Sequence, residues 1–348
     1  MFADETGRIS RFSSEPEDLR GARRLANRAI VPGLVNCHSH SFQRVIRGRT
    51  EHRTAASRDT FWTWREAMYR AANRLSPEDV YHAARMAFVE MLISGITTVG
   101  EFHYLHNAPD GSRYEEPNLL ALQVIRAAQE LGVRIALLRT AYARAGWKKP
   151  DNPGQARFIT KSPDVFLADT EELGRRIQEQ SASGLVSLGI APHSIRALPV
   201  EYLTEITEYA HGKNLPVHMH VAEQPAEVSE CIAEYGVRPV EFLHARGVLD
   251  GAFTAVHAIH ITESEIGPMG ELNARVCACP TSERNLGDGP VPADRLTEAG
   301  VEICFGSDSN VQIDLLEDAR LLEYHLRMNR LERAVLAPCS GEQEPVCS

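Results

Sequence analysis

Eight short runs of apolar and β-branched residues recur along the chain, each followed by a polar loop, and most are separated by a helical pattern. They are 30–37 (IVPGLVNC), 95–100 (GITTVG), 133–140 (VRIALLRT), 185–191 (LVSLGIA), 216–221 (PVHMHV), 253–258 (FTAVHA), 275–279 (RVCAC) and 301–306 (VEICFG). Helix patterns cover 77–93, 117–131, 164–180, 199–213, 226–246, 262–272 and 292–299. Ser76-Pro77-Glu78 and Ser162-Pro163-Asp164 each place a capping hydroxyl before a first-turn proline and an acidic residue, the chemistry of a helix start. Eightfold strand–helix alternation is the pattern of a (β/α)8 TIM-like barrel of the α/β class. A doubly wound sheet uses the same units, so alternation alone leaves that arrangement open. Residues 1–29 precede the first run, 312–336 reads as one long helix, and a polar tail follows.

Composition narrows the function classes. With 43% hydrophobic residues in 348, the chain has ample material for a large core, which excludes wholesale disorder. The 37 Lys plus Arg against 47 Asp plus Glu give a formal charge of -10, the opposite of what phosphate neutralisation needs, so no nucleic-acid partner is expected. The longest apolar stretch, MAFVEMLISGITTVG, is broken by Glu90 and Gly95 and does not read as a membrane span. The N-terminus lacks an apolar signal core, and the seven cysteines are odd in number, several of them within apolar runs. Together these features predict a soluble, cytoplasmic protein.

Polar residues gather at the C-terminal ends of the runs, the rim where barrels of this type build active sites. His38-Ser39-His40 ends the first, and in an extended chain residues i and i+2 share a face. His218-Met219-His220 lies in the fifth, with Glu223 three residues on. His257 and His260 belong to the sixth and Gly306-Ser307-Asp308-Ser309-Asn310 to the eighth. A lone His-x-His is more often a hydrogen-bonded pair than a metal site, and an Asp after a strand is more often a cap. Four strand ends on one predicted rim change that balance. Neutral imidazoles with one carboxylate suit Zn²⁺ or a similar divalent ion. No nucleophile elbow, P-loop, dinucleotide fingerprint or nucleobase-deaminase Cys-x-x-Cys signature is present. Trp62-Thr63-Trp64 reads as a buried or lid-forming aromatic pair.

VPGLVNCHSHSFQR (31–44), with HVAEQ (220–224), His257 and GSDSN (306–310), resembles the amidohydrolase superfamily. Within it, FWTWREAMYR (61–70), EFHYLH (101–106), PHSIRAL (192–198) and NLGDG (285–289) look like the formimidoylglutamate deiminase family. The resemblance implies a metal-dependent hydrolase that converts N-formimino-L-glutamate to N-formyl-L-glutamate and ammonia. It implies His38, His40, His220 and Asp308 as ligands of one Zn²⁺ or another divalent ion per chain. Glu223, His257 and Asp308 take catalytic roles, and Gln43, Arg65, Tyr104 and Arg196 contact a small substrate with two carboxylates. His218 falls outside the implied ligand set, and His103, His193 and His260 receive no role.

Members of that superfamily carry a β-sandwich built from both chain ends. Here the expectation is an incomplete flanking sandwich, with 1–29 as its N-terminal remnant, 30–336 as the hydrolase barrel and 337–348 as a tail unlike the family. Apolar surface exposed by missing parts would be compatible with a homodimer. Two other readings stay open: a related amidohydrolase that deaminates a purine-like ring, and a truncated, non-catalytic homologue.

Overall fold

The computed structural model describes residues 1–5, 8–54, 58–180 and 184–337. The tail expected over 337–348 therefore lies, beyond Ala337, outside the described residues, as do Cys339 and Cys347. The chain divides into two compact units, one ending at Gly33 and the other starting at Leu34. In the first, β1 (Phe2–Ala3) and β2 (Ile9–Arg11) pair antiparallel. Arg11 lies over the Phe2 ring and forms an ion pair with Asp18 at 2.8 Å.

The second unit is built on eight parallel strands: β3 (Leu34–Ser39), β4 (Ile96–His103), β5 (Arg134–Ala141), β6 (Val186–Pro192), β7 (Val217–Val221), β8 (Phe253–His257), β9 (Arg275–Ala278) and β10 (Ile303–Phe305). Each falls on one of the eight apolar runs, and the sheet keeps chain order from β3 to β10. Strands covered on both faces read as near-continuous apolar stretches, and all five residues of β8 are buried. The sheet nearly closes into a barrel. Its two edge strands meet through one parallel bridge, Ser39 to Asp308, in which Asp308 N donates to His38 O and His40 N donates to Asp308 O, both at 2.9 Å.

Side chains replace the rest of that seam. The Asn36 amide donates to Ser307 Oγ at 2.7 Å and accepts from Ser307 N at 2.9 Å, with Asn36 fully buried. Asn310 Nδ2 donates to His40 O at 3.0 Å. Gly306 is required here for space: a Cβ would sit 2.7 Å from the His38 Cβ and 2.9 Å from its carbonyl oxygen.

Helices surround the sheet: α1 (Phe61–Ala72), α2 (Pro77–Ile93), α3 (Leu119–Leu131), α4 (Pro163–Gln180), α5 (Val200–Gly212), α6 (Pro225–Tyr235), α7 (Pro239–Ala245), α8 (Glu263–Glu271), α9 (Pro280–Leu286), α10 (Ala293–Glu298) and α11 (Leu315–Arg330). α2 starts where the sequence places it, with Ser76 Oγ accepting from Asp79 N and the Asp79 carboxylate accepting from Ser76 N. The single helix expected over 226–246 is two, because Gly236 adopts a left-handed φ of 78° that caps α6. The helix expected over 312–336 is shorter and ends at Arg330, before Leu331 turns left-handed. Helices α1 and α9 were not expected from the sequence. Among the described residues no helix is long and apolar enough to cross a membrane.

Candidate active site

His38 and His40 sit at the C-terminal end of β3, where the pairing register with β4 shifts between Asn36 and Ser39. Their Nε2 atoms come within 3.1 Å of each other. His220, on β7, brings its Nε2 to 3.3 Å from that of His40. Asp308, just beyond β10, places Oδ1 3.3 Å from the Nε2 of both His38 and His40. All four side chains are buried, and their donor atoms lie within 4.8 Å of one another. Asp308 and the nearby His257 hold left-handed backbone, φ 45° and 71°, a conformation kept only where the surroundings enforce it.

The proton positions decide what this cluster can hold. His40 Nδ1 donates to Phe102 O at 2.9 Å and His220 Nδ1 donates to His193 O at 3.0 Å. Each of these rings therefore turns a bare Nε2 lone pair inward. Burial drives His38 down to about 3, and burial, with the neighbouring imidazoles, holds His220 well below the usual histidine range. Neutral imidazoles and one carboxylate with their lone pairs on one point make a cation site, and three nitrogens with one oxygen suit zinc.

Beside the cluster, His257 lies between two carboxylates. Its Nδ1 is 3.2 Å from Glu283 Oε1, and its Nε2 is 3.8 Å from Glu223 Oε1. Burial opposes a charged imidazole there. Glu223, Glu283 and Asp308 outweigh it and raise His257 to about 10. Burial also raises Glu223, against the pull of His257 and Arg196. Glu283 is anchored in turn by the Cys279 backbone N–H at 2.8 Å. The sequence reading missed Glu283. Its signal was Cys279-Pro280, a first-turn proline that starts a short helix with Glu283 in its opening turn.

One pocket collects His40, His220, Asp308, Glu223 and His257 with Gln43, Arg65, Tyr104 and Arg196, so every implied site residue except His38 lines it. His193 lines it as well, together with Tyr69 and Tyr142, none of which had an expected role. Gln43 Nε2 donates to the Tyr104 hydroxyl at 2.7 Å. Arg65, on α1, lays its guanidinium 4.4 Å from the Trp62 ring centre, and its buried Nε has no hydrogen-bond partner. Arg196, in the turn after β6, is only 7% exposed. Among the described residues neither arginine has an ion-pair partner within 4.0 Å. His218 stands apart, in a different cavity with Cys37, Arg275 and Cys304. His260 Nε2 donates to Asp288 O at 3.0 Å, and His103 packs 5.8 Å from the His106 ring.

Comparison with known proteins follows this geometry. The profile of the Amidohydrolase family matches residues 29–339. A formimidoylglutamate deiminase of Pseudomonas aeruginosa is 39% identical over 314 residues, covering 90% of this chain and 68% of that protein. A 5-methylthioadenosine/S-adenosylhomocysteine deaminase of Thermodesulfovibrio yellowstonii is 30% identical over 83% of this chain and 59% of its own length. The chain thus spans between about three fifths and two thirds of these two relatives. Among solved structures, an amidohydrolase from Brucella melitensis superposes with a TM-score of 0.84 at 39% identity, over 89% of this chain and 68% of that one. An adenosine deaminase from Xanthomonas campestris with bound zinc superposes with a TM-score of 0.70 at 25% identity, over 86% and 62%. By profile, sequence and fold, the chain belongs to the amidohydrolase family and is a hydrolase of carbon–nitrogen bonds.

Proposed function

We propose that the chain deiminates N-formimino-L-glutamate, adding water and releasing N-formyl-L-glutamate and ammonia. The observation that carries this reading is the pair Arg65 and Arg196, guanidiniums without a carboxylate partner in the same pocket as Glu223 and His257. Among the described residues neither guanidinium is committed to a close ion pair, so both are free to meet an anionic substrate. Guanidiniums also meet carboxylates in two parallel hydrogen bonds, which suits a substrate ending in two of them. A neutral purine-like ring offers no such partner. The likeness to a formimidoylglutamate deiminase points the same way, while relatives that act on nucleosides share the scaffold.

His38, His40, His220 and Asp308 would hold the metal, for which we propose zinc. When bound, it supplies Lewis acidity and brings the pKa of a water from 15.7 towards about 7. The rest falls to the chain. Asp308 accepts a proton from the attacking water as oxygen bonds to the formimino carbon. His257, held by Glu283, orients the attacking oxygen. Glu223, whose carboxyl burial keeps protonated more readily than usual, delivers a proton to the imino nitrogen as that nitrogen takes the electron pair of the C=N bond. Asp308 then passes the water's proton to that amine, the hydroxyl proton goes to Glu223 as the formyl C=O forms, the carbon–nitrogen bond breaks and ammonia leaves.

We further infer that this chemistry resides in residues 30–336, with 1–29 outside it. The test is ammonia release from N-formimino-L-glutamate by the zinc-loaded chain, with a chelator control and an Asp308→Asn variant. Turnover lost in both controls supports the assignment. Full activity of Asp308→Asn, or faster release of ammonia from a purine than from the formimino compound, refutes it.

A further inference from the structure

Arg65 and Arg196 are not alone in their part of the pocket. Tyr69 on α1 and Tyr142 directly after β5 line it too, and both are buried. Their hydroxyl oxygens converge on one atom, Nε2 of Gln155, at 2.8 Å for Tyr69 and 2.7 Å for Tyr142. Gln155 ends the short turn Pro153–Gln155, is 1% exposed, and has no partner for its Oε1.

The direction of these hydrogen bonds fixes what the phenols show to a ligand. An amide nitrogen has two hydrogens and no lone pair to offer, so each phenol oxygen accepts and its own hydrogen turns elsewhere. The reversed amide would strand two N–H groups instead of one carbonyl oxygen, the costlier arrangement. Burial holds the Tyr142 hydroxyl protonated far above neutral pH. Gln43 and Tyr104 repeat the arrangement in the same pocket, with the amide nitrogen donating to the phenol and Gln43 Oε1 unpartnered.

We propose that Gln155 is a positioning residue that holds Tyr69 and Tyr142 as hydroxyl donors, so that with Arg65 and Arg196 they form a subsite for a carboxylate of the substrate. The proposal rests on the dicarboxylate reading above, because a subsite that presents hydrogen donors and positive charge selects an anion.

The test is calorimetric titration of the full, zinc-loaded chain with glutarate, a plain dicarboxylate, beside steady-state kinetics on N-formimino-L-glutamate. Tyr69→Phe and Tyr142→Phe each weaken glutarate binding about tenfold, the scale of one charge-assisted hydrogen bond. Gln155→Glu weakens it about a hundredfold, because a carboxylate behind the phenols draws both hydroxyl hydrogens away and adds a like charge. Gln155→Met, of similar size, weakens it less than tenfold. In the kinetics these losses fall on KM, with kcat within about threefold, as expected of contacts equal in ground and transition states. A role in packing alone would give Gln155→Glu and Gln155→Met equal effects, following their melting temperatures, and would overturn the proposal. So would a Tyr69→Phe/Tyr142→Phe double variant that binds glutarate within twofold of the unaltered chain, or an unaltered chain that does not bind glutarate. If glutarate binding depends on the tyrosines while the formimino compound is not turned over, the subsite stands and the substrate assignment fails.

Discussion

The Nε2 atoms of His40 and His220 face each other across 3.3 Å, although each ring has committed its proton to a backbone carbonyl on its far side. Two bare lone pairs at that distance repel, and Asp308 adds a carboxylate oxygen 3.3 Å from the His40 nitrogen. The sheet also closes at this point, since the seam hydrogen bonds join His38 and His40 to Asp308. A divalent ion would therefore hold the site and the seam together.

The first prediction follows from that double role. Purified chain should carry about one divalent ion, and a chelator should abolish ammonia release and lower the melting temperature. Free zinc at a hundred times its Kd stabilises by about 3 kcal/mol, enough to move the melting temperature by a few degrees in a chain of this size. Metal analysis and thermal melts with and without chelator check it, and an unchanged melt with full activity in chelator counts against it.

Glu283 supplies the second. It holds His257 from behind, 3.2 Å from Nδ1, and its negative charge helps raise that imidazole to about 10. Glu283→Gln removes the charge with little change in size. An imidazole that loses an anionic neighbour loses its proton at lower pH, so the alkaline limb of the kcat profile should move down by about one pH unit. At neutral pH we expect kcat to fall about tenfold or more with KM within about threefold. A profile that stays in place would separate Glu283 from the chemistry of His257.

How much of this could be read from the sequence depended on the length of each signal. All eight strands were legible because buried parallel strands leave apolar runs, and the proposed ligands because they stand at the ends of those runs. Glu283 was not, because α9, at seven residues, is too short to show a 3.6-residue period. Helix α1 was hidden differently: FWTWREAMYR is rich in aromatics with weak helix preference, and its capping pair, Thr60 and Thr63, lies outside the usual Ser/Thr-to-Glu/Gln pattern. Gln155 and Tyr142 belong to the stretch between β5 and α4, where no periodicity marks a contact with α1. Asn36 reads as one polar residue in an apolar run, and only the closed sheet shows that its amide stands in for ladder hydrogen bonds.

The third prediction concerns stability and pH, away from the ion site. Asp318 on α11 is fully buried, accepts the Thr281 backbone N–H at 2.9 Å, and has no partner for its second oxygen. Burial pushes its carboxyl from 3.8 up to about 7. Between about pH 4 and pH 7 the unfolded chain sheds a proton that the folded chain retains, so this residue costs stability as pH rises through that window, and the cost is constant above it. Asp318→Asn keeps an acceptor for Thr281 and never ionises. Its melting temperature should match the parent near pH 4 and exceed it at pH 8, by an amount worth at most about 4 kcal/mol. A variant less stable than the parent at pH 8 would show that the buried carboxylate is paired after all.

Arg196 gives the last prediction, in which a large effect on substrate binding separates from a small effect on stability. Its guanidinium is 7% exposed, 6.0 Å from the Trp62 ring centre, and has no carboxylate within ion-pair distance among the described residues. Burial opposes that charge, but Tyr142, Glu227, Tyr69 and Glu223 together outweigh it and raise the guanidinium above its usual range. Arg196→Met removes a charge that its surroundings favour, so it should lower stability slightly, by about 1 kcal/mol. The same change should raise KM for N-formimino-L-glutamate about a hundredfold, because the carboxylate loses a bidentate partner. Melting curves of the two proteins with and without N-formyl-L-glutamate separate the effects: the product should stabilise the parent and leave the variant unmoved. Equal stabilisation of both by the product would mean that Arg196 does not meet the carboxylate, and the anionic end of the substrate would have to be placed against Arg65 alone.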